Sequence, residues 1–362
     1  MAYSEEEGKA LVVKAGKKLV ESGLIARTWG NISARISDTQ FVITPSGKAY
    51  EDLTPKDIVT VNISDCSYES DIKPSSEKGV HAEAYRLRKD VNFVIHTHQT
   101  NASALSILGR TVGNVEGYLD GAEKILGPSI PCAEYGLSST KKLKENVSYA
   151  IEKNPNCNTV LMKYHGALCM GKDYDNAFSI AFTLEKVSDF RFREMCKLAV
   201  PPQEVTTANQ EENKKRFYTV FEEAFDPDYK KRAAIYDLKG VNCIIYSHTP
   251  YVKLMASMKG EMKPFIDDLV QIAGTSIRCL PKDCTYGEIA KALKGRNAVL
   301  IEGVGAVCVG ANEDEAEAVC MVLEKGAQAA VLASEVGNVS PIGGLSAKIE
   351  RTVYVAKYSK LK

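Results

Sequence analysis

The chain has 362 residues, 44% of them hydrophobic and 25% charged, the composition of a globular protein long enough for two domains. Forty-six basic residues balance forty-six acidic ones, so no net field favours nucleic acid or an anionic membrane, and an anionic ligand needs a local site. The opening MAYSEEEGKA lacks the charged-then-apolar order of a signal peptide, and no apolar run reaches the ~18 residues of a bilayer span. Ten scattered cysteines without a CxxC pair fit reduced thiols rather than disulfides or a cysteine-ligated metal. The expectation is a cytoplasmic protein with no nucleic-acid or membrane partner.

Residues 4–22 read as an amphipathic helix: Ser4 and Glu7 have capping-box spacing, and Leu11, Val12, Ala15, Leu19 and Val20 form one apolar face. FVIT (41–44) and IVTVNI (58–63) read as strands, separated by a Pro-Ser-Gly turn and the loop EDLTPKD. A helix over 77–88 precedes a strand over 92–98 and a further helix. Then come a helix over 138–153, a strand pair over 158–171 and a long helix over 173–195.

Three blocks recur in the same order. NFVIHTHQT (92–100) matches NCIIYSHTP (242–250), GPSIPC (127–132) matches GTSIRC (274–279), and NTVLMKYHGALCMG (158–171) matches NAVLIEGVGAVCVG (297–310). The last pair continues into helices containing Leu-Glu-Lys, at 184–186 and 323–325. The chain therefore reads as two homologous domains, 1–205 and 206–362, joined near Pro201-Pro202 and the polar run TTANQEENKK (206–215). The second copy shows no evident match to residues 27–77 and no PSSE loop.

On a strand, positions i and i+2 share a face, so His96 and His98 project together where an apolar strand ends. Such a pair suits a metal, although structural histidines also occur in this spacing. His165 ends another apolar strand and would complete a three-nitrogen set with an open position. His81 and His248 read as helix-surface or core histidines. Gly30-Asn31-Ile32-Ser33, Thr44-Pro45-Ser46-Gly47 and Pro74-Ser75-Ser76-Glu77 offer hydroxyls, an amide and backbone N–H groups, either as ordinary turns or as a neutral anion cradle. Glu77 suits a general base, or a helix-start charge.

In order, GNIS, VITPSG, LTPKDIV, PSSE, VIHTH, SIPC and KYHGALCMG resemble the class II aldolase/adducin family over about residues 5–195. The second copy, about 236–335, is similar to the same fold with weaker motifs. The resemblance implies an α/β fold, three-layer α/β/α around a central mainly antiparallel sheet, here as a tandem repeat. It implies a metal-dependent carbon–carbon lyase that reversibly cleaves a ketose 1-phosphate to dihydroxyacetone phosphate and an aldehyde. His96, His98 and His165 match the family's ligands for one zinc ion per chain, with manganese or iron(II) as alternatives. Glu77 matches the catalytic acid/base, and Asn31, Ser46, Gly47, Ser75 and Ser76 match the loops that hold the substrate phosphate. Tyr118 is the nearest candidate for a tyrosine supplied by a neighbouring subunit, with a longer spacing to SIPC than the family's. Trp29 stands beside the phosphate loop where smaller residues are common.

The same chemistry serves pentulose-phosphate 4-epimerases and sugar-phosphate dehydratases, and glutamate rather than aspartate at 77 favours the aldolase. An adducin-like binding or scaffold module is the reading of another class. In the second copy Tyr246 and Val304 stand in place of His96 and His165, and of the three ligands only the counterpart of His98, His248, survives, which implies a scaffold half without metal. Family members build each site at a boundary within a ring of four subunits, so the expectation is a homo-oligomer, a tetramer or a dimer that mimics one.

Overall fold

The structure, a computed structural model, describes residues 2–22, 24–25, 29–200 and 207–358. Two compact units divide between Glu194 and Met195. No helix among the described residues is long and apolar enough to cross a membrane. All ten cysteines are free thiols, six of them buried.

In the first unit α1 (Glu5–Glu21) begins at Ser4, whose hydroxyl accepts from the Glu7 N–H at 3.2 Å, and three acids occupy its first turn. Its Val12, Ala15 and Leu19 are fully buried. Strands β1 (Gly30–Arg35), β2 (Gln40–Ile43) and β3 (Val59–Asn62) form an antiparallel meander. Then come α2 (Lys78–Leu87), β4 (Phe93–Thr97) and α3 (Thr100–Ser106). An excursion follows through β5 (Val112–Gly113), α4 (Val115–Tyr118), α5 (Ala122–Leu126) and β6 (Ser129–Ile130). The unit closes with β7 (Cys132–Ala133), α6 (Lys141–Lys153), β8 (Thr159–Met162), β9 (Gly166–Gly171) and α7 (Tyr174–Met195).

The sheet runs β3-β2-β1-β4-β9-β8-β7, antiparallel at every step except the parallel β7–β8 pair. β4 lies at its centre and is buried on both faces, which explains its unbroken apolar run. Val94 joins Phe41, Ile43, Tyr85, Leu143, Val147 and Leu168 in a core beneath α2 and α6. Alternation then places His96 on that same face. Phe93, on the other, packs edge-on against Tyr3 and Tyr174.

The second unit contains α8 (Thr207–Phe217), β10 (Tyr218–Glu222), α9 (Tyr229–Tyr236), β11 (Cys243–Ser247), α10 (Pro250–Met258) and α11 (Asp267–Ile272). It continues with β12 (Cys279–Leu280), α12 (Tyr286–Leu293), β13 (Ala298–Ile301), β14 (Gly305–Gly310), α13 (Glu313–Val336) and α14 (Gly344–Val353). Its sheet order, β10-β11-β14-β13-β12, repeats β1-β4-β9-β8-β7 of the first unit, again with one parallel pair at the end. The repeated Leu-Glu-Lys has a physical role in both units. Glu185 accepts from the N–H groups of Asn101 and Ala102 at the start of α3, and Glu324 accepts from Tyr251 and Val252 at the start of α10.

Two expectations are corrected. The polar run 206–215 is not a bare connector: from Thr207 it forms α8, whose Lys214 pairs with Glu313 at 2.9 Å and with Glu317. The second copy also keeps more of the first than its blocks suggest. β10 pairs with β11 as β1 pairs with β4, Thr219 opposite Tyr246 and Asn31 opposite His96. Asp228, Arg232 and Tyr236 repeat the spacing of Glu77, His81 and Tyr85 around the starts of α9 and α2. Counterparts of β2 and β3 are absent among the described residues, and Asp226-Pro227-Asp228 stands where the first copy has Ser75-Ser76-Glu77.

Candidate metal centre and active site

Three sequence-distant segments meet at the end of β4. His96 lies opposite Asn31 of β1 on one side and Leu168 of β9 on the other, and His98 follows just beyond the strand. His165 sits in the tight β8–β9 turn, where Tyr164 adopts φ 64° and the His165 N–H returns to the Met162 carbonyl at 2.9 Å. Gly166 lets this turn close on β4: a Cβ there would lie 2.3 Å from the Thr97 carbonyl oxygen.

The three imidazole centroids are 4.6 to 4.9 Å apart, and a ligand nitrogen from each lies within 4.8 Å of the others. His96 Nδ1 is 2.9 Å from the Ala167 carbonyl, so Nδ1 carries the proton and the Nε2 lone pair faces inward. His165 Nδ1 meets the Ser138 hydroxyl at 3.2 Å, and its Nε2 faces the same point. Nε2 of His98 is 2.9 Å from Nε2 of His96; two lone pairs at that separation need a proton or a cation between them. His96 is 1% exposed, and its burial, reinforced against protonation by the neighbouring imidazoles, lowers its pKa well below the usual histidine range. Fixed imidazole nitrogens converging on one point are the donor set a divalent ion takes, so His96, His98 and His165 fit a metal.

Glu77 completes the cluster. Its Oε2 is 3.2 Å from His96 Nε2 and its Oε1 is 3.1 Å from His165 Nε2, while Asn31 Nδ2 donates to Oε2 at 3.1 Å. Burial opposes its charge, but the His165 and His96 rings outweigh it and hold the carboxyl well below its ordinary pKa. Its backbone, φ −99° and ψ 12°, lies in the sparsely populated bridge region. The Ser75 hydroxyl accepts its N–H at 3.2 Å.

The structure also joins the two hydroxyl-rich loops. Ser46 N–H donates to the Lys73 carbonyl at 2.9 Å, and Ser75 N–H to the Thr44 carbonyl at 3.0 Å. Ser46, Gly47, Ser75 and Ser76 thus share one rim, with Asn31 linked to it through Glu77. Trp29 is half-buried immediately before β1. Tyr118 is not joined to the cluster within its own chain: it lies on α4 and donates to Glu194 at 2.8 Å.

One site residue was missed as such by sequence reasoning. His81, expected on a helix surface or in a core, is fully buried and meets Asn31 Oδ1 at 2.5 Å and the Ser33 hydroxyl at 2.6 Å. The signal was the spacing Glu77, His81, Tyr85, one helix face, against Asn31 and Ser33, one strand face.

In the second unit the same positions hold other chemistry. Arg232 pairs with Asp226 at 2.6 Å and lies over Phe221, Tyr236 donates to Asp226 at 2.9 Å, and His248 Nδ1 is 3.1 Å from the Val304 carbonyl.

Comparison with known proteins agrees with this geometry. The domain family described as Class II Aldolase and Adducin N-terminal domain matches residues 10–191 and again 232–331. A 5-deoxy-D-ribulose 1-phosphate aldolase of Bacillus thuringiensis is 34% identical over 175 residues, 48% of this chain and 79% of that protein. An L-fuculose phosphate aldolase of Escherichia coli is 34% identical over 168 residues, 46% of this chain and 74% of that protein. A solved L-fuculose 1-phosphate aldolase structure is 30% identical, with a TM-score of 0.49, covering 59% of this chain and 98% of its own. The chain belongs to the class II aldolase and adducin family, as an aldolase with a second copy of the domain.

Proposed function

We propose that the first domain is a zinc-dependent aldolase that reversibly cleaves a ketose 1-phosphate to dihydroxyacetone phosphate and an aldehyde. The observation that carries this reading is the convergence of three imidazoles with one buried carboxylate, 3.1 and 3.2 Å from two of them. Relatives named as aldolases of 5-deoxy-D-ribulose 1-phosphate and L-fuculose phosphate support the substrate class. A divalent ion on His96, His98 and His165 would supply Lewis-acid stabilisation of negative charge on the substrate's carbonyl oxygen.

The chain's own groups do the rest. Ser46, Gly47, Ser75, Ser76 and Asn31 bind and orient the phosphate with neutral donors, in keeping with a chain of zero net charge. Glu77, held as a carboxylate by Asn31 and the imidazoles, takes the proton from the carbon beside the carbonyl of dihydroxyacetone phosphate in synthesis. It returns that proton in cleavage. Tyr118 of a neighbouring chain protonates the aldehyde-derived oxygen, which requires a homo-oligomer. The second domain acts as scaffold.

The test is solvent hydrogen exchange at the C–H of dihydroxyacetone phosphate, followed by NMR in deuterated water. The zinc-loaded protein is expected to exchange one of the two carbinol protons, and Glu77→Gln to keep its metal while losing exchange by ~10²–10⁴-fold. No exchange by the metal-loaded wild type, or undiminished exchange by Glu77→Gln, refutes the reading.

A further inference from the structure

A buried chain of side chains leads away from Glu77. Asn31 lies between Glu77 and His81, His81 between Asn31 and Ser33, and Ser33 contacts the Tyr85 hydroxyl at 2.7 Å. Ser33, His81 and Tyr85 are 0% exposed, and Asn31 is 6%. Counting donors fixes every direction. A carboxylate only accepts, so the Asn31 NH₂ faces Glu77 and its oxygen faces His81. That oxygen needs a donor, so His81 carries its proton on Nε2. Its bare Nδ1 then accepts from the Ser33 O–H, and Ser33 Oγ accepts from the Tyr85 O–H. Burial supports this by lowering the His81 pKa to about 4, which keeps the ring neutral, and by pushing that of the Tyr85 phenol up, which keeps its proton.

The second unit supplies an internal comparison. Its sheet keeps the corresponding strands, yet Thr219, Phe221 and Arg232 stand where Asn31, Ser33 and His81 stand in the first. The position of Tyr85 alone remains tyrosine, at Tyr236, and that hydroxyl serves Asp226 instead. The fold persists without the chain, and the chain has disappeared together with two of the three metal ligands.

We propose that His81 is a positioning residue: its Nε2–H holds the Asn31 carboxamide with the NH₂ toward Glu77, and so fixes the carboxylate against the imidazoles. Without that donor the Asn31 oxygen loses its partner, the amide is free to flip, and a flipped amide sets its oxygen against the carboxylate. Ser33 and Tyr85 enforce the tautomer. The inference rests on the aldolase reading only for its kinetic arm.

Nitrogen-15 NMR of the histidine rings in the full-length zinc-loaded protein tests it first. His81 is expected as the neutral Nε2–H form, with its Nε2 resonance moved in Asn31→Ala. An Nδ1–H form overturns the proposal whether or not the protein is an aldolase. The second arm measures exchange at dihydroxyacetone phosphate, zinc content and thermal midpoint in His81→Leu, His81→Gln, Asn31→Ala and the Asn31→Ala/His81→Leu double variant. His81→Leu is expected to lose ~10–100-fold in exchange with zinc retained, as when the support of a site residue is removed. His81→Gln, which keeps an N–H near the Nε2 position, is expected to recover most of that rate. On Asn31→Ala, the leucine change is expected to have no further effect. Losses that multiply in the double variant, or no recovery by a folded His81→Gln, overturn the proposal. A wild type without exchange defeats the aldolase reading, and the tautomer still decides this one.

Discussion

Gly166→Ala isolates the closeness of the β8–β9 turn to β4. The added Cβ would lie 2.3 Å from the Thr97 carbonyl oxygen and 3.3 Å from His96 Cε1, whereas real Cβ atoms essentially never approach within 3.0 Å. The obstacle is strand backbone, so the turn and the strand must separate by about 0.7 Å or more, at a cost of ~1–3 kcal/mol for overpacking. His165 adjoins Gly166, so the separation draws one imidazole away from the other two. Zinc affinity, read by competition with a chelator, is expected to fall by ~10–100-fold. Gly305→Ala is the internal control: its Cβ would lie 2.3 Å from the Ser247 carbonyl, and φ 151° adds strain, but its unit carries Tyr246 and Val304 in place of two ligands. Both variants are expected to lower the thermal midpoint, and only Gly166→Ala to weaken zinc. Unchanged zinc affinity in Gly166→Ala, or equal weakening in both, refutes the reasoning.

Three further outcomes are expected. His81 has its pKa lowered from an ordinary 6.5 to about 4, so the unfolded chain binds its proton first as pH falls. Stability is therefore full above pH ~6.5 and declines by about 3 kcal/mol on the way to pH ~4, a loss that His81→Gln lacks; denaturant titrations showing a pH-independent difference between the two proteins contradict this. Tyr118→Phe removes a surface hydrogen bond to Glu194 and is expected to change stability by less than ~1 kcal/mol. It is expected to lose cleavage activity by ~10-fold or more and to regain it when co-assembled with Glu77→Gln chains, whereas a fully active Tyr118→Phe protein ends its assignment. His248→Ala is expected to leave the metal content unchanged, because Tyr246 and Val304 offer no imidazole beside it; loss of an ion on that change contradicts the scaffold reading.

Much of the fold was legible because β4 and β9 are short apolar runs and the long helices carry regular stripes. His96 and His98 could be placed side by side from strand alternation alone. Glu77 needed the family resemblance, since a carboxylate at a helix start has an ordinary explanation. β10 escaped notice because Tyr218–Glu222 is a half-exposed edge strand whose residues match no repeated block. α8 escaped because TTANQEENKK offers no apolar stripe to read. His81 was hidden for a different reason. Its partners Asn31 and Ser33 lie about fifty residues away, and only the pairing of β1 with β4 beneath α2 brings them to its ring.

The central claim is one metal site per chain, in the first unit. Metal analysis of the purified full-length protein beside His96→Ala tests it most directly. One divalent ion per chain in the wild type and none in a folded His96→Ala protein is the predicted result. Two ions per chain, none in the wild type after zinc loading, or an ion retained by His96→Ala contradicts the account.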